Sequence, residues 1–498
     1  MTAIQRRLAL FPFIFLIAMT LTTLSCGSGY GGNDSGATSD NSKPDTQETG
    51  TSVNTITTVD STGDVGFFTS IAIGTDGLPV VSYYDDTNGD IKVLKCGNNA
   101  CSEGNTITVV DTTGEAGWYT SITIGTDDFP VISYQDTTNA DLKVLKCGNA
   151  ACSSGNTITP VDTTGNVGRD TSITIGTDGL PVVSYYDETN TDLKVLKCGN
   201  AACSLGNTIT PVDTTGHVGR DTSITIGTDG LPIVSYRTID SFDLKVLKCG
   251  DDACSSGNKI TTVDTEGNVG HFTSITIGTD GLPVVSYHDA TNSDLKVLKC
   301  GDTACSSGNM ITAVDTDGNV GFDTSITIGT DSLPVISYYD LTNRELTVLK
   351  CGDTACSSGN MITAVDNTGD VGHYTSITIG ADGLPVISYH DQTNLDLKIL
   401  KCGSQSCRNE CPNLPVRISG TALEYSFLQD AYDASVSYDI IQSQAAVFTE
   451  DIFINMNKSV VLEGGYDCDY ITIIYNTVLN GNVTISDGVV TIENFELR

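Results

Sequence analysis

Three arginines could hold an acidic ligand, because each stands where other copies of a repeated sequence carry different residues. Arg169, Arg220 and Arg237 occupy positions at which the remaining copies have Phe, Trp, Tyr, His or Gln. A guanidinium group forms charge-assisted, two-pronged hydrogen bonds with carboxylate or sulfate. The sequence therefore predicts a site for an anionic or sugar ligand at these arginines.

Aromatic side chains in the first two copies extend this candidate site, because their ring faces could stack on a sugar. The predicted ring contacts are Phe68, Trp118 and Tyr119. A simpler interpretation of the basic residues is that Arg169 and Arg220 pair with Asp170 and Asp221 as solvated surface ions. The sequence leaves both interpretations open.

The overall charge excludes two classes of partner. The chain has 498 residues, with 25 Lys and Arg against 61 Asp and Glu, which gives a net charge of −36. A surface this acidic repels phosphate backbones and anionic lipid headgroups. We therefore expect neither nucleic-acid binding nor a polybasic membrane contact. Separately, we expect the chain to be a monomer.

The seventeen cysteines indicate an oxidising compartment. One C-x4-C pair in each copy predicts a local disulfide, worth roughly 2 kcal/mol in the chain-entropy model. Two thiols without a nearby His do not make a zinc site, so no metal is predicted there. The predicted bridges join Cys96 with Cys101, Cys147 with Cys152, Cys198 with Cys203, Cys249 with Cys254, Cys300 with Cys305, Cys351 with Cys356 and Cys402 with Cys407. We expect Cys411 to pair with Cys468, with Cys407 as a competing partner.

The first 26 residues have the pattern of an export signal. Arg6 and Arg7 precede an apolar stretch, residues 8–21, and Cys26 follows it closely. The segment resembles a bacterial lipoprotein signal, which implies lipidation of Cys26 and an outer-membrane anchor facing the periplasm or the cell surface. Ordinary cleavage is the alternative. Residues 27–53 are almost free of apolar side chains and predict a flexible tether.

A period of 51 residues dominates the chain from Asn54 onward. Each copy predicts four short strands, which in the first copy are residues 69–74, 79–84, 91–96 and 105–110. The copies begin at Asn54, Asn105, Asn156, Asn207, Asn258, Asn309 and Asn360. Seven units of four strands predict an all-β fold, a seven-bladed β-propeller over residues 54–407.

The two ends of the repeat region predict closure of the ring. The first copy opens with a fourth-strand motif at Asn54–Asp60, and the last copy stops after its third strand at Leu397–Cys402. Pairing of the two would complete the seventh blade. The motif S-I-x-I-G-T-D-G-L-P-V-x-S-Y-Y-D resembles a repeat of exported bacterial propeller proteins, which implies the fold and says little about activity.

Residues 408–498 have a different composition and predict a small C-terminal domain. Apolar spacing predicts one helix at residues 426–434, followed by short strands. The string beginning at Val461 resembles the first rungs of right-handed parallel β-helix proteins of the pectate-lyase type. Their lyase activity is not implied, because the only basic side chains after Cys411 are Arg417, Lys458 and Arg498.

Positions identical in all seven copies are interpreted as structural. We expect Asp76, Thr69, Ser70, Asp60 and Lys95, with their equivalents, to form turns, hydroxyl hydrogen bonds between blades and ion pairs. A calcium site at residues 85–90 is an alternative because oxygen ligands are dense there, although the spacing differs from an EF-hand loop. No other cofactor is predicted.

The variable positions are predicted to lie on two loops at one face of the propeller. We call Phe67, Phe68 and Tyr84, with their equivalents at steps of 51 residues, the rim positions. Three function classes fit such a rim. They are a non-catalytic binding or adhesion module for an anionic glycan or an envelope protein, a sialidase-like glycosidase, and a structural envelope scaffold. The first is favoured, because no nucleophile, His pair or phosphate loop stands out.

Overall fold

The structure is a computed structural model that describes residues 54–408, 414–466, 470, 473 and 476–498. Cys26, Cys411 and Cys468 lie outside the described residues, and so do the predicted lipidation and the predicted Cys411–Cys468 bridge. Two compact units contain the described residues, one ending at Lys401 and the other running from Cys402 to Arg498. Each unit is described by itself.

The first unit consists of seven four-stranded antiparallel sheets, which confirms the predicted seven-bladed propeller. Each blade uses strands of five to nine residues separated by three turns, which in the first blade have the sequences Thr-Asp-Gly, Asp-x-Thr-Asn and C-x4-C. The strands are β1 (Thr55–Asp60), β2 (Val65–Ile73), β3 (Pro79–Asp85), β4 (Asp90–Lys95), β5 (Thr106–Asp111), β6 (Ala116–Ile124), β7 (Pro130–Asp136), β8 (Asp141–Lys146), β9 (Thr157–Asp162), β10 (Arg169–Ile175), β11 (Pro181–Asp187), β12 (Asp192–Lys197), β13 (Thr208–Asp213), β14 (Val218–Ile226), β15 (Pro232–Thr238), β16 (Leu244–Lys248), β17 (Lys259–Asp264), β18 (His271–Ile277), β19 (Pro283–Asp289), β20 (Asp294–Lys299), β21 (Met310–Asp315), β22 (Phe322–Ile328), β23 (Pro334–Asp340), β24 (Glu345–Lys350), β25 (Met361–Asp366), β26 (Val371–Ile379), β27 (Pro385–Asp391) and β28 (Asp396–Lys401).

The ring closes as the chain ends predict. Strand β1 pairs antiparallel with β28, with Thr55 opposite Lys401 and Thr58 opposite Lys398. Blade seven is therefore β26, β27 and β28 completed by β1, and blades one to six each follow in chain order from β2 onward. Every blade thus has four strands, although the two ends of the repeat region supply one of them jointly.

Hydroxyl groups join neighbouring blades, as predicted for the identical Thr and Ser positions. Thr222 Oγ1 donates to Ser184 Oγ of the preceding blade at 2.9 Å, and both residues are fully buried. The same bond recurs between all seven pairs of blades at 2.7–2.9 Å. Ser172 Oγ also accepts the backbone N–H of Ile224 at 3.2 Å. Each blade interface therefore has a polar seam within an apolar core.

Replacing Thr222 with Val tests this seam. The variant keeps the shape of the side chain but leaves the Ser184 hydroxyl without its donor, so we expect the free energy of unfolding to fall by about 1–3 kcal/mol. Chemical denaturation monitored by fluorescence measures the change. Thr208→Val, on the exposed start of β13, is the control and should change stability by less than about 0.5 kcal/mol.

An ion network crosses six of the seven blade interfaces near the end of the outer strand. In blade three, Lys194 Nζ lies 3.1 Å from Asp162 Oδ2, the last residue of β9, and 2.7 Å from Asp187 Oδ2 of its own blade. Tyr185 donates its hydroxyl to the same Asp162 oxygen at 2.8 Å. The predicted structural role of Asp60 and its equivalents is thus confirmed.

The predicted turn ion pairs are also present. Lys197 Nζ lies 2.6 Å from Asp178 Oδ1 of the Thr-Asp-Gly turn, and the pair recurs in every blade at 2.6–3.0 Å. Asp178 Oδ1 also accepts the backbone N–H of Leu180 at 3.1 Å. The aspartate thus closes its own turn and holds the lysine of the third strand.

All seven predicted C-x4-C disulfides form. The bridges join Cys96 to Cys101, Cys147 to Cys152, Cys198 to Cys203, Cys249 to Cys254, Cys300 to Cys305, Cys351 to Cys356 and Cys402 to Cys407. Their cysteines are at most 2% exposed. The second cysteine of each bridge has a left-handed backbone conformation, with φ between 49° and 52°, which the spacing of the pairs does not predict. Since Cys407 is bridged to Cys402, it does not compete for Cys411. Such a density of disulfides is typical of exported proteins.

The second unit contains one helix and two sheets around its own apolar core. The helix begins at Leu428, two residues later than predicted, where Glu450 accepts the N–H groups of Leu428 and Gln429 at 2.9 and 3.1 Å. The elements are β29 (Val416–Ile418), β30 (Glu424–Tyr425), α1 (Leu428–Ala434), β31 (Ile440–Gln444), β32 (Val447–Phe448), β33 (Ile452–Tyr466), β34 (Thr477–Leu479), β35 (Val483–Glu493) and β36 (Phe495–Leu497).

The sheets of this unit are one mixed sheet and one parallel sheet. The first has the order β30-β29-β31-β33-β35, in which β31, β33 and β35 are parallel, and the second has the order β32-β34-β36 with parallel pairs. A β-helix requires parallel pairing between successive strands, and this unit has such pairs. That the unit is a short β-helix stays a prediction. Among the described residues, no helix has the length and apolarity needed to cross a bilayer.

Candidate functional site

The rim positions lie in strands, so the prediction that they lie on loops was wrong. Phe67 pairs with Tyr84, and regular pairing resumes only at Ser70 opposite Ser82. The residue after Phe67 adopts a left-handed backbone conformation, with φ of 52° at Phe68. All seven equivalents of Phe68 have φ between 52° and 59°. A bulge of this kind re-aims side chains at a strand end, and it sends the two adjacent rim residues into different layers.

The equivalents of Phe68 form a buried layer shared by neighbouring blades. Phe68, Tyr119, Phe272 and Tyr374 are at most 7% exposed, and Phe68 packs against Tyr119 and Tyr374 with ring centroids 4.7 and 4.9 Å apart. Of the three predicted stacking residues, Phe68 and Tyr119 therefore have no free ring face for a ligand. Trp118 is half-buried and stays in the candidate site.

Aspartates complete the same buried layer in three blades. Asp170 accepts the backbone N–H of Asp221 in the next blade at 2.9 Å, and Asp323 accepts that of Tyr374 at 2.7 Å. Asp170, Asp221 and Asp323 are at most 4% exposed. They are therefore not the solvated surface ions of the simpler interpretation.

The arginines lie together on blades three and four, but their partners differ. Arg220 Nε lies 2.7 Å from Asp170 Oδ2 of the preceding blade, and the guanidinium of Arg220 lies over the Tyr186 ring at 5.3 Å. Arg169 Nη1 lies 3.2 Å from the half-exposed Glu188 Oε1. Arg220 is thus a structural ion with 17% of its side chain exposed, whereas Arg169 pairs near the surface.

Arg237 has no carboxylate partner among the described ion pairs of the chain. The residue is 8% exposed, and its Nη2 donates to the neutral amide oxygen of Asn268 at 2.8 Å. The guanidinium also lies over the Phe242 ring at 5.5 Å. Its Nε and the Nε of Arg169 are buried without a hydrogen-bond partner. A buried guanidinium with an unused donor is suited to an anionic acceptor.

The arginines and the neighbouring titratable groups shift one another's pKa values. Burial, together with Arg237, His288 and Arg220, lowers the pKa of His271 to about 3. Burial opposes the charge of Arg220, but Asp170 and Asp221 raise the pKa of Arg220 above its ordinary value. Burial and the nearby Asp170 raise the pKa of Asp221 to about 6, although Arg220 and Arg237 act in the other direction.

Replacing Asp221 with Asn tests this environment through its pH dependence. A carboxyl whose pKa rises from 3.8 to about 6 on folding stabilises the folded state below pH 4, and this contribution is lost as the pH rises to 6. At pH 7 we expect the variant to be more stable than the wild type by about 1–3 kcal/mol. Denaturation midpoints of both proteins at pH 4, 5, 6 and 7 measure the difference in stability. If the substitution acted only through packing, this difference would be the same at every pH.

In the first copy, where the sequence offers a calcium site at residues 85–90, the Asp85 carboxylate is already bonded to groups of the protein. Lys92 Nζ lies 2.7 Å from Asp85 Oδ2, and Asn88 donates to both oxygens of Asp85 at 2.9–3.0 Å. A cation bound at residues 85–90 would have to compete with that lysine.

Sequence reasoning did not identify Glu188 or Asn268 as parts of this site, and it considered Asp221 only as a surface ion. Glu188 and Asn268 lie in turns, whereas the arginines that they contact lie in strands. Only folding brings each pair together. Comparison of the copies could have shown Glu188, because the equivalent residues are Asp86, Thr137, Ile239, Ala290, Leu341 and Gln392.

No protein-family model matches the sequence, and no curated protein matches it. Three solved structures illustrate the similar folds. A protein of unknown function from Dyadobacter fermentans is 12% identical, with 70% of this chain and 98% of that chain covered and a TM-score of 0.44. A triple arginine-to-alanine mutant of AofleA from Arthrobotrys oligospora is also 12% identical, with 63% and 90% covered and a TM-score of 0.41. A PL25 ulvan lyase is 9% identical, with 68% and 94% covered and a TM-score of 0.44. The function is therefore argued from the residues of this chain.

Proposed function

We propose that the propeller is a non-catalytic binding module that holds an acidic group of a glycan at Arg237 and Arg169. The observation that carries the proposal is the state of Arg237, which is buried, lacks a carboxylate partner among the described residues and has an unused Nε donor. Burial lowers the pKa of Arg237, and the nearby Asp221 opposes this only through space, without an ion pair. An anionic ligand would supply an ion-pair partner and the missing acceptor for Nε.

The local sequence of blade four supports the same function. Thr238 stands where the other blades carry an aspartate, and Ser241 stands where they carry an asparagine. Thr238 and Ser241 bond to each other at 2.7 Å, and Ser241 also donates to Asp243 Oδ2 at 2.6 Å. Blade four therefore lacks the buried aspartate that follows the position of Arg237 in the other blades, although Asp240 adds an exposed carboxylate where those blades carry threonine.

The aromatic part of the site would be Trp118 with Phe67. Both are half-buried, and both pack against the buried Phe68 or its neighbours, with Phe68 and Trp118 centroids 5.5 Å apart. A ring fixed from beneath keeps its outer surface in place for contact with a sugar. Phe68 and Tyr119 would act as supports rather than as contacts.

A glycan and polyanion array with matched variants tests the proposal. We expect Arg237→Gln to weaken capture of an acidic glycan at least tenfold, because an amide can retain the bond to Asn268 but cannot neutralise an anion. Lys259→Gln, on the exposed start of β17, removes the same charge elsewhere and should leave capture unchanged. Arg220 is unsuitable, because its removal leaves Asp170 buried without its partner.

A second variant sharpens the test. Glu188→Gln removes the carboxylate that competes for Arg169, so capture should become stronger if Arg169 contacts the ligand. Equal capture by the wild type and Arg237→Gln would overturn the proposal. Absence of capture by the wild type would favour the structural scaffold or a protein partner.

A sialidase-like glycosidase is the alternative that one observation favours. Asp221 has a pKa raised to about 6 by burial and by Asp170, which suits proton transfer near neutral pH. If a captured glycan is cleaved, Asp221→Asn should abolish turnover while retaining capture. Retained turnover would exclude Asp221 as the acid.

The proposed location is the outer membrane, through lipid on Cys26. The seven disulfides and the resemblance of residues 1–26 to a lipoprotein signal support export and anchoring. Membrane fractionation of wild type and Cys26→Ser tests the anchor, since the variant should appear in the soluble exported fraction.

A further inference from the structure

One blade lacks the buried lysine of the interface network. Thr347 of β24 stands opposite Tyr338, as Lys194 stands opposite Tyr185 in blade three. In the other six blades the residue is a lysine whose ammonium lies within 3.4 Å of an aspartate of the preceding blade. Threonine lacks the three outer heavy atoms of lysine, including the charged nitrogen.

Two carboxylates therefore stay buried without a cation of the protein. Asp315, at the end of β21, is 8% exposed, and Asp340, at the end of β23, is 5% exposed. Asp315 accepts a hydrogen bond from the Tyr338 hydroxyl at 2.5 Å, and Asp340 accepts one from the Asn343 side-chain amide at 2.8 Å. Among the described ion pairs, none involves Asp315 or Asp340. Such a pair is unfavourable unless a positive charge or a proton joins it.

The replacing threonine provides an oxygen at the same place. Thr347 is 3% exposed, and its Oγ1 has no hydrogen-bond partner. Because β23 and β24 keep the register of the other blades, this side chain projects on the side from which the lysines reach the aspartates. The hydroxyl is thus a buried oxygen without a hydrogen-bond partner, on the side of the blade where the sibling lysines meet their aspartates.

A third carboxylate is within reach from the solvent side. In blade two, Thr113 Oγ1 lies 3.4 Å from Lys143 Nζ, and Asp317 is the equivalent of Thr113 at the interface of blades five and six. Asp317 is exposed. In the described part of the chain no three such groups already converge on one point, so Asp317 must rotate inward.

We propose that a calcium ion binds between blades five and six, at Asp315, Asp340, Thr347 and Asp317. Calcium prefers six to eight oxygen ligands at about 2.3–2.6 Å, which water can complete here. In the sibling blades the aspartate oxygens lie 2.7–3.4 Å from the ammonium nitrogen, so shifts of less than about 1 Å would give calcium distances. The ion would replace the missing lysine, and it lies far from residues 85–90 in sequence and in another blade.

The decisive variant restores the residue of the other blades. Thr347→Lys should fill the site with its own ammonium, and Asp317→Asn removes the exposed ligand without altering the buried ones. Calcium uptake by the purified, chelator-treated protein is measured by equilibrium dialysis, with thermal unfolding in EDTA and in 5 mM calcium as a second readout. Terbium luminescence sensitised by Tyr338 provides a local probe.

We expect the wild type to bind one more calcium ion than Thr347→Lys, with an affinity of about 10⁻⁴–10⁻³ M, as in extracellular modules. Calcium should raise the unfolding temperature of the wild type only, and Asp317→Asn should bind at least tenfold more weakly. Equal uptake by the wild type and both variants would overturn the proposal. A thermal shift with sodium or potassium but none with calcium would overturn the choice of ion. If Thr347→Lys fails to fold, the comparison with Asp317→Asn still decides.

Discussion

Reduction of the seven disulfides should destroy the cooperative thermal transition of the propeller. Each bridge closes a loop of about six residues, and the chain-entropy model assigns roughly 2 kcal/mol to each. The sum is comparable with the whole stability of an ordinary domain, about 5–15 kcal/mol. Circular dichroism of protein refolded with and without reductant measures the loss. Because the cysteines are at most 2% exposed, the native protein should resist reductant until it opens.

One bridge can be removed alone as the graded version of this experiment. The double variant Cys198→Ser and Cys203→Ser should lose roughly 2 kcal/mol and retain a single transition. Identical denaturation midpoints for oxidised and reduced wild type would contradict the entropic argument. So would a double variant that is as unstable as the fully reduced protein.

Replacement of Lys194 by Met should lower the free energy of unfolding by about 3–5 kcal/mol. The ammonium lies 3.1 and 2.7 Å from the buried carboxylates of Asp162 and Asp187, which the apolar side chain would leave without a counter-charge. Burial opposes the charge, yet Asp187 and Asp162 raise the pKa of Lys194, while Lys194 and Asn190 hold the pKa of Asp187 low. Urea denaturation at pH 7 measures the difference.

The pH dependence and a neighbouring lysine provide the controls. Because the pKa of Asp187 is depressed, its contribution is present above the ordinary carboxyl range and is lost on acidification, so the deficit of the variant should shrink towards pH 3. Lys197→Met lies three residues along the same strand, but its partner Asp178 is 40% exposed. That variant should lose only about 0–1 kcal/mol. Equal losses at both positions would contradict the argument from burial.

The architecture follows from the sequence because its signals are local and repeated. The turn aspartate at position 76 and the C-x4-C segment recur at every step of 51 residues, so an error at one strand would have to recur seven times. The motif at Asn54–Asp60 also predicts closure, since it has the sequence of a fourth strand without the three preceding ones. The structure confirms both.

The rim could be located from the sequence, but its layers could not. Phe68 and Tyr119 adopt left-handed backbone conformations that bulky residues rarely take, so composition gives no sign of the bulge. The bulge decides that Phe68 is buried while Phe67 is half-exposed. The bond between Arg220 and Asp170 joins residues of different blades, and neighbouring copies in the sequence do not indicate which side chains meet.

The exception at Thr347 shows what comparison of the copies can add. A reader who aligns the copies at Lys92 sees one threonine among six lysines. The sequence alone does not reveal that the position is buried between two aspartates, and without that fact the change resembles ordinary surface variation. Burial and the network of the sibling blades turn the substitution into a hypothesis about a bound ion.

The pairing of β1 with β28 also determines how the ring would respond to force. The two strands are antiparallel, and Thr55, where one enters the blade, lies opposite Lys401, where the other leaves it. Tension applied to these two points would load the hydrogen bonds one after another, as in unzipping, rather than all together as in shear. We therefore expect the ring to open at low force at blade seven, while the six blades made of continuous chain stay closed.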